Sequence, residues 1–151
     1  MNNHSKNFPL ALTVGVLILI VFVIGGFTWA ARSQRIVACY IWNTEAGDHA
    51  LLRLETAPAG GTEGSFVLEI AGKDRRVGNL MGTLKGAVAD LIWTGMSEGM
   101  NFKEELRIRI EGSIAKPGFG EMVEISGIYK YKNQNSLTYP ISLQKASCSE
   151  D

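Results

Sequence analysis

Two hydrophobic patterns divide the chain. From Asn7 to Ala31 no residue is charged, and Leu, Ile, Val and Phe dominate. At about 1.5 Å of rise per residue, a helix over the 22 residues Leu10 to Ala31 reaches roughly 33 Å, enough to cross a hydrocarbon core. The pattern predicts an N-terminal tail at 1–8, one transmembrane signal anchor at 9–31 and a β domain at 32–151. A cleaved secretory signal is the competing reading, with Thr28 and Ala30 as the small residues before the cut. Its apolar region should run only about 7 to 15 residues, so length favours the anchor.

After Ala31 the period changes to two. Leu106, Ile108 and Ile110 alternate with Glu105, Arg107, Arg109 and Glu111, the signature of a strand with one buried face. The same alternation runs through Leu137, Tyr139, Ile141 and Leu143, and through Phe66, Leu68 and Ile70. Less regular runs at Ile36 to Trp42, Ala50 to Glu55, Leu80 to Leu84, Ala87 to Thr94 and Met122 to Tyr131 bring the total to about eight or nine strands. No segment after Ala31 sustains a helical period.

The connections between these runs are short and polar. Gly60-Gly61, Lys85-Gly86, Glu111-Gly112 and Lys132 to Asn135 suit antiparallel hairpins, and parallel pairing would need crossovers for which the chain has no room. Fourteen of the 17 glycines lie in this part, the punctuation of an all-β chain. The expected fold is therefore an all-β antiparallel meander. Cys39 and Cys148 flank it, and a disulfide between them requires Cα atoms about 4.4 to 6.8 Å apart. The first and last strands must then meet, which predicts a closed or nearly closed barrel, with a β-sandwich as the alternative.

Such a disulfide also bears on compartment. Lys6 precedes the apolar segment while Arg32 and Arg35 follow it, so basic residues alone lean toward a cytoplasmic domain. A bridged pair points instead to an oxidising compartment, periplasm or cell surface. Residues 33–151 carry thirteen basic and fifteen acidic side chains, a net of about −2, which gives a nucleic-acid partner no support. Arg75-Arg76 and the alternating Arg107 and Arg109 read as solvated strand or turn positions.

Candidate chemistry is sparse. Extending the Leu106 to Ile110 phase backward puts Phe102 and Glu104 on the apolar side, so Glu104 is expected in the core or mouth of the barrel. There it either contacts a ligand or takes a structural hydrogen bond to backbone, Tyr or Trp, the second being the commoner fate of an inward carboxylate. Glu98 and Glu121, in Ser97-Glu98-Gly99 and Gly118-Phe119-Gly120-Glu121, sit in glycine-flanked turns. Paired carboxylates serve glycoside hydrolysis, but such turns are more often structural. His49 is the lone histidine after Ala31 and reads as a turn residue, and the cysteines lack ligand spacing, so neither a triad nor a metal site is expected. No catalytic residue and no cofactor is assigned. The aromatic residues, Trp93 and Tyr129 among them, either line a small cavity with Glu104 or fill the interior themselves.

The segments Lys73-Asp74-Arg75, Gly78, Gly82, Ala89-Asp90, Ser97-Glu98-Gly99 and Gly118-Phe119-Gly120-Glu121-Met122 resemble a group of small bacterial cell-envelope proteins, many of them lipoproteins. The resemblance covers roughly Cys39 to Cys148 and implies an envelope setting with no assigned activity. Ile36-Val37-Ala38-Cys39 has the form of a lipobox, yet Arg32 and Arg35 separate it from the apolar region. The functional expectation is a membrane-anchored envelope protein whose β domain binds without catalysis. The bilayer is met through the N-terminal helix, and an envelope protein or a small ligand through the domain. The alternatives are a small-ligand-binding barrel and, behind it, a carboxylate-dependent hydrolase.

Overall fold

The computed structural model describes residues 34–73 and 75–148. The expected tail at 1–8 and anchor at 9–31 lie outside the described residues. Among those described, no helix is long and apolar enough to cross a membrane. Ten strands form: β1 (Ile36–Asn43), β2 (His49–Thr56), β3 (Gly61–Glu69), β4 (Arg76–Lys85), β5 (Val88–Ser97), β6 (Met100–Glu111), β7 (Ile114–Pro117), β8 (Met122–Ile125), β9 (Ile128–Tyr131) and β10 (Leu143–Ala146). His49 thus opens β2 and is not a turn residue, and its Nδ1 lies 2.6 Å from the Asn43 side chain.

Strands β1 to β7 follow one another as an antiparallel meander, β7 then pairs with β10, and β10 pairs with β1. Eight strands therefore close an antiparallel barrel, which removes the sandwich alternative. Closure runs through the short β10, where Cys39, Tyr40 and Ile41 face Ala146, Lys145 and Gln144. Beside this seam Cys39 and Cys148 are joined, their Cα atoms 5.3 Å apart across 109 residues of chain. The sulfur that a lipid would need is thereby taken.

Two runs depart from the expected strands for identifiable reasons. Met122 to Tyr131 is two strands, because Ser126 and Gly127 both adopt positive φ, 54° and 78°, and turn the chain tightly back on itself. In Leu137 to Leu143 the alternating side chains do point inward, Ile141 and Leu143 being buried, but no ladder forms before Leu143. Pro140 has no N–H to give one. Thr138 makes a single bridge with Phe119, and Lys132 to Asn135 leads through one 3-10 turn (Gln134–Ser136) on the way to β10, not into a hairpin. Ile114–Pro117, too short to show a period, supplies β7.

The interior is filled. Leu52, Leu54, Phe66, Leu80, Leu91, Trp93, Leu106, Ile108 and Leu143 form one buried cluster drawn from six strands. Strands bend inward where side chains are missing. Gly78 and Gly95 face each other across β4 and β5, and a Cβ on Gly95 would lie 2.6 Å from the Gly78 Cα and overlap the Val77 carbonyl.

Strand directions give the barrel two distinct ends. The chain enters at Arg35, at the end that also carries the turns 57–60, 86–87 and 112–113. The far end carries 44–48, 70–73 and 98–99, together with the β8–β9 hairpin, which joins β6 through the parallel pair Glu104 and Tyr129. At this far end the alternation brings charged side chains onto the inner face.

Candidate functional site

On β4, Arg76, Gly78, Leu80, Gly82 and Leu84 share the inward phase, and on β6 Phe102, Glu104, Leu106 and Ile108 do the same. Arg76 ends its series and Glu104 stands one step inside Phe102 in the other, so both turn into the mouth of the barrel. Their side chains are 29% and 14% exposed, and Arg76 Nη2 is ion-paired with Glu104 Oε2 at 2.8 Å. The inward carboxylate expected at 104 is thus present, but its partner is Arg76, not backbone, Tyr or Trp.

Arg76 is not the solvated position expected. Its guanidinium lies 4.6 Å from the Trp93 ring centre and 4.2 Å from that of Phe102, over both rings. Trp93 in turn meets Phe102 edge-on at 4.8 Å and Phe66 at 4.9 Å. A desolvated cation over two aromatic faces, with a carboxylate against it, is a mutually supporting arrangement. It seals the apolar interior with a charge pair of zero net charge. Arg75, the neighbour on the other phase, is exposed and only loosely paired with Glu69 at 3.6 Å.

The residues expected to share a site fall in one cross-strand row. Trp93 faces Glu104 on the β5–β6 ladder, and Glu104 faces Tyr129 across the parallel bridge. Only two of them line a common recess. It measures about 120 Å³ and is bounded by Arg76, Trp93, Glu104, Leu106, Phe119, Met122, Tyr131 and the glycines 118 and 120. Tyr129 is 45% exposed, and Tyr131 takes the place foreseen for it. Tyr131 donates to the Gly118 carbonyl at 2.7 Å, and its backbone N–H donates to Glu105 at 3.0 Å. Burial pushes its phenol up to about 12, with the charges of Glu104 and Glu105 adding to the effect. The indole N–H of Trp93 is buried without a hydrogen-bond partner among the described residues.

The three glutamates do not converge. Glu98 sits at positive φ in the β5–β6 turn and lines a separate groove of about 320 Å³ with Arg75, Val77 and Met96. Glu121 is ion-paired with Lys132 at 2.9 Å on an exposed loop. Glu104 is the one carboxylate among the residues that line the recess. Among the described residues, no group of three or more His, Cys, Asp or Glu side chains gathers as a metal site would require. Of the two arginines expected as solvated strand positions, Arg109 is exposed on β6, 4.2 Å from the Tyr139 ring centre, while Arg107 is half-buried and donates to Asp90 at 2.6 Å.

A second feature of the far end is on the outer wall. Ile41, Leu51, Val67, Val77 and Met96 are successive cross-strand partners from β1 to β5. All five belong to the outward phase, and Leu51, Val77 and Met96 are exposed, Met96 by 56%. The row stops there, because the β6 partner of Met96 is Asn101; Met100, 65% exposed, belongs to the other phase at the rim. The row was hidden in sequence because its members stand singly in five different segments and meet only through register.

Two outcomes follow from the mouth. Glu104→Gln should cost about 1–3 kcal/mol in urea unfolding, since it leaves a half-buried guanidinium without its counter-charge. Adding Arg76→Met should cost less than the sum of the two single changes; additivity would mean that the pair is not coupled. Tyr131 has a higher pKa folded than unfolded, so the folded state holds its proton longer. Stability is intact below pH 10 and falls as pH rises from 10 toward 12. Denaturation at pH 8 and pH 11 should show a smaller alkaline loss for Tyr131→Phe than for the unchanged chain.

Compared with known protein families, curated proteins and solved structures, the chain matches none.

Proposed function

We propose that this chain is a membrane-anchored cell-envelope protein whose barrel binds a partner protein, without catalysis, through its far end. The observation that carries this reading is the apolar row Ile41, Leu51, Val67, Val77 and Met96. A sheet face turned to water ordinarily alternates against such residues. Five in register make one contiguous strip, the kind of exposed patch that marks interaction surfaces. Methionine is among the residues enriched at interfaces, and Met96 ends the strip.

The capacity of the interior favours the same reading over a ligand-binding barrel. Ligand pockets usually run from about 300 to 1,000 Å³, whereas the recess beside Trp93 and Glu104 holds about 120 Å³ and the core behind it is packed. That volume accommodates a few waters. A hydrolase reading lacks a second carboxylate beside Glu104. The Cys39–Cys148 bridge supports placement outside the cytoplasm, in periplasm or at the cell surface, as does the uncharged stretch Asn7 to Ala31 as anchor.

A photo-reactive amino acid placed at Val77 should give a discrete adduct in cells of the native host, and the same group at Lys85, at the opposite end, should not. Met96→Glu should abolish the adduct while shifting unfolding free energy by less than about 0.5 kcal/mol, as surface changes do. Equal labelling from Val77 and Lys85, or none from either, would count against the reading. For compartment, trapping thiols in intact cells should find Cys39 and Cys148 unreactive until reduction. Two free thiols would place the domain in the cytoplasm.

A further inference from the structure

We infer that Cys148 is the point at which a partner protein carrying a pair of cysteine thiols attacks the Cys39–Cys148 bridge, opening it and releasing the last strand of the barrel. The two ends of this bond are unequally reachable. Cys39 lies inside β1, between its ladders to β2 and β10, and is 5% exposed. Cys148 lies beyond β10, two residues past the last pair with β1, and is exposed. Exchange requires a thiolate to reach one sulfur of the disulfide, so access decides which sulfur is attacked, and exposed bridges are the labile ones. Burial closes the Cys39 end to an incoming thiolate and leaves Cys148 as the end that can be met.

Attack there joins the incoming sulfur to Cys148 Sγ and breaks the bond between the two Sγ atoms. The electron pair leaves with Cys39 Sγ, which takes up a proton. Cys39 then stands beside the mixed disulfide, because the two Cα atoms are 5.3 Å apart while β10 keeps its place. A thiol held so close has a high effective concentration, returns the attack and expels a simple monothiol, so the bridge recloses. A second thiol on the attacking protein changes the outcome. Its thiolate attacks the first partner sulfur, the bond to Cys148 breaks, and Cys148 leaves as a thiolate that takes up the second proton. One disulfide is reduced by two electrons and two protons, and the dithiol is oxidised to its own disulfide. This competition selects a protein dithiol as the partner. What the reaction frees is β10, held by three pairs to β1 and two to β7, so the bridge is a clasp on the ring. The inference stands on the seam and not on the apolar row, and its test is separate from the cross-linking at Val77.

The test uses the oxidised, detergent-solubilised full chain with thioredoxin, a protein dithiol, and with thioredoxin whose second active-site cysteine is replaced by serine. The dithiol should reduce the folded chain at least about tenfold faster than the single-cysteine protein does. Quenching the single-cysteine reaction in acid and mapping the adduct by pepsin digestion and mass spectrometry should find it on Cys148, with Cys39 a free thiol. In concentrated urea, where burial is lost, both cysteines should carry it. After reduction by the dithiol, the Lys145 amide, which donates to the Ser113 carbonyl at 2.8 Å, should lose hydrogen-exchange protection severalfold while the Leu52 amide on β2 keeps its own. An adduct on Cys39 in the folded chain, or on Cys148 alone in urea, would overturn the inference, as would equal rates for the two thioredoxins. So would unchanged protection at Lys145, or its loss at Leu52 as well, since the bridge would then hold nothing or the whole fold.

Discussion

The fold depends on closing a ring through its weakest member. Seven strands of the barrel are laid down by a meander in which each pairs with its predecessor, a local process with short connections. The eighth, Leu143–Ala146, arrives after an excursion through the β8–β9 hairpin and contributes only three pairs to β1 and two to β7. Five cross-strand pairs are a thin seam for a ring whose opening would expose two edges. The Cys39–Cys148 bond lies against that seam and fixes the last strand where its ladder is shortest. In the chain-entropy account, a crosslink over a loop this long removes several kcal/mol of unfolded-state freedom, though the origin of such stabilisation is disputed.

At the far end the constraint is electrostatic. Strands that keep their inward phase to the rim must put something into the mouth, and here β4 ends on Arg76 while β6 sets Glu104 beside it, one step inside Phe102. Neither charge could be held at 29% and 14% exposure alone. Together, and with the guanidinium over Trp93 and Phe102, they close the interior without adding net charge. Ligand capacity is lost by the same stroke, because the space a ligand would occupy is filled by the side chains that stabilise the rim.

Much of this was legible in the sequence, and the parts that were not share a cause. The phase of Leu106, Ile108 and Ile110 runs back to Glu104 without a break, so its inward direction could be read. The two cysteines told of terminal strands that meet. Arg76 belongs to an equally regular series on β4, but Gly78 and Gly82 stand where apolar side chains would have announced it. Those glycines are required by the close approach of neighbouring backbones, so the feature that bends the wall also erased the pattern. Tyr129 and Tyr131 share one phase of β9, so periodicity does not separate them; position does, Tyr129 standing exposed nearer the Ser126-Gly127 turn and Tyr131 at the recess. The apolar row had no local signal at all, being a product of register.

Disulfide closure has a consequence for how the domain responds to a protease. Every exposed loop of the barrel lies between Cys39 and Cys148, from the turn at 44–48 to the segment before β10. A protease that cuts any one of them produces a nick and no fragment: both new ends remain tied to the residues where the chain enters the barrel. Separating the two pieces needs two chemistries acting on the same molecule, hydrolysis and reduction. Between Cys39 and Cys148 the barrel behaves as a covalent ring, which hydrolysis opens without dividing until the disulfide is also reduced.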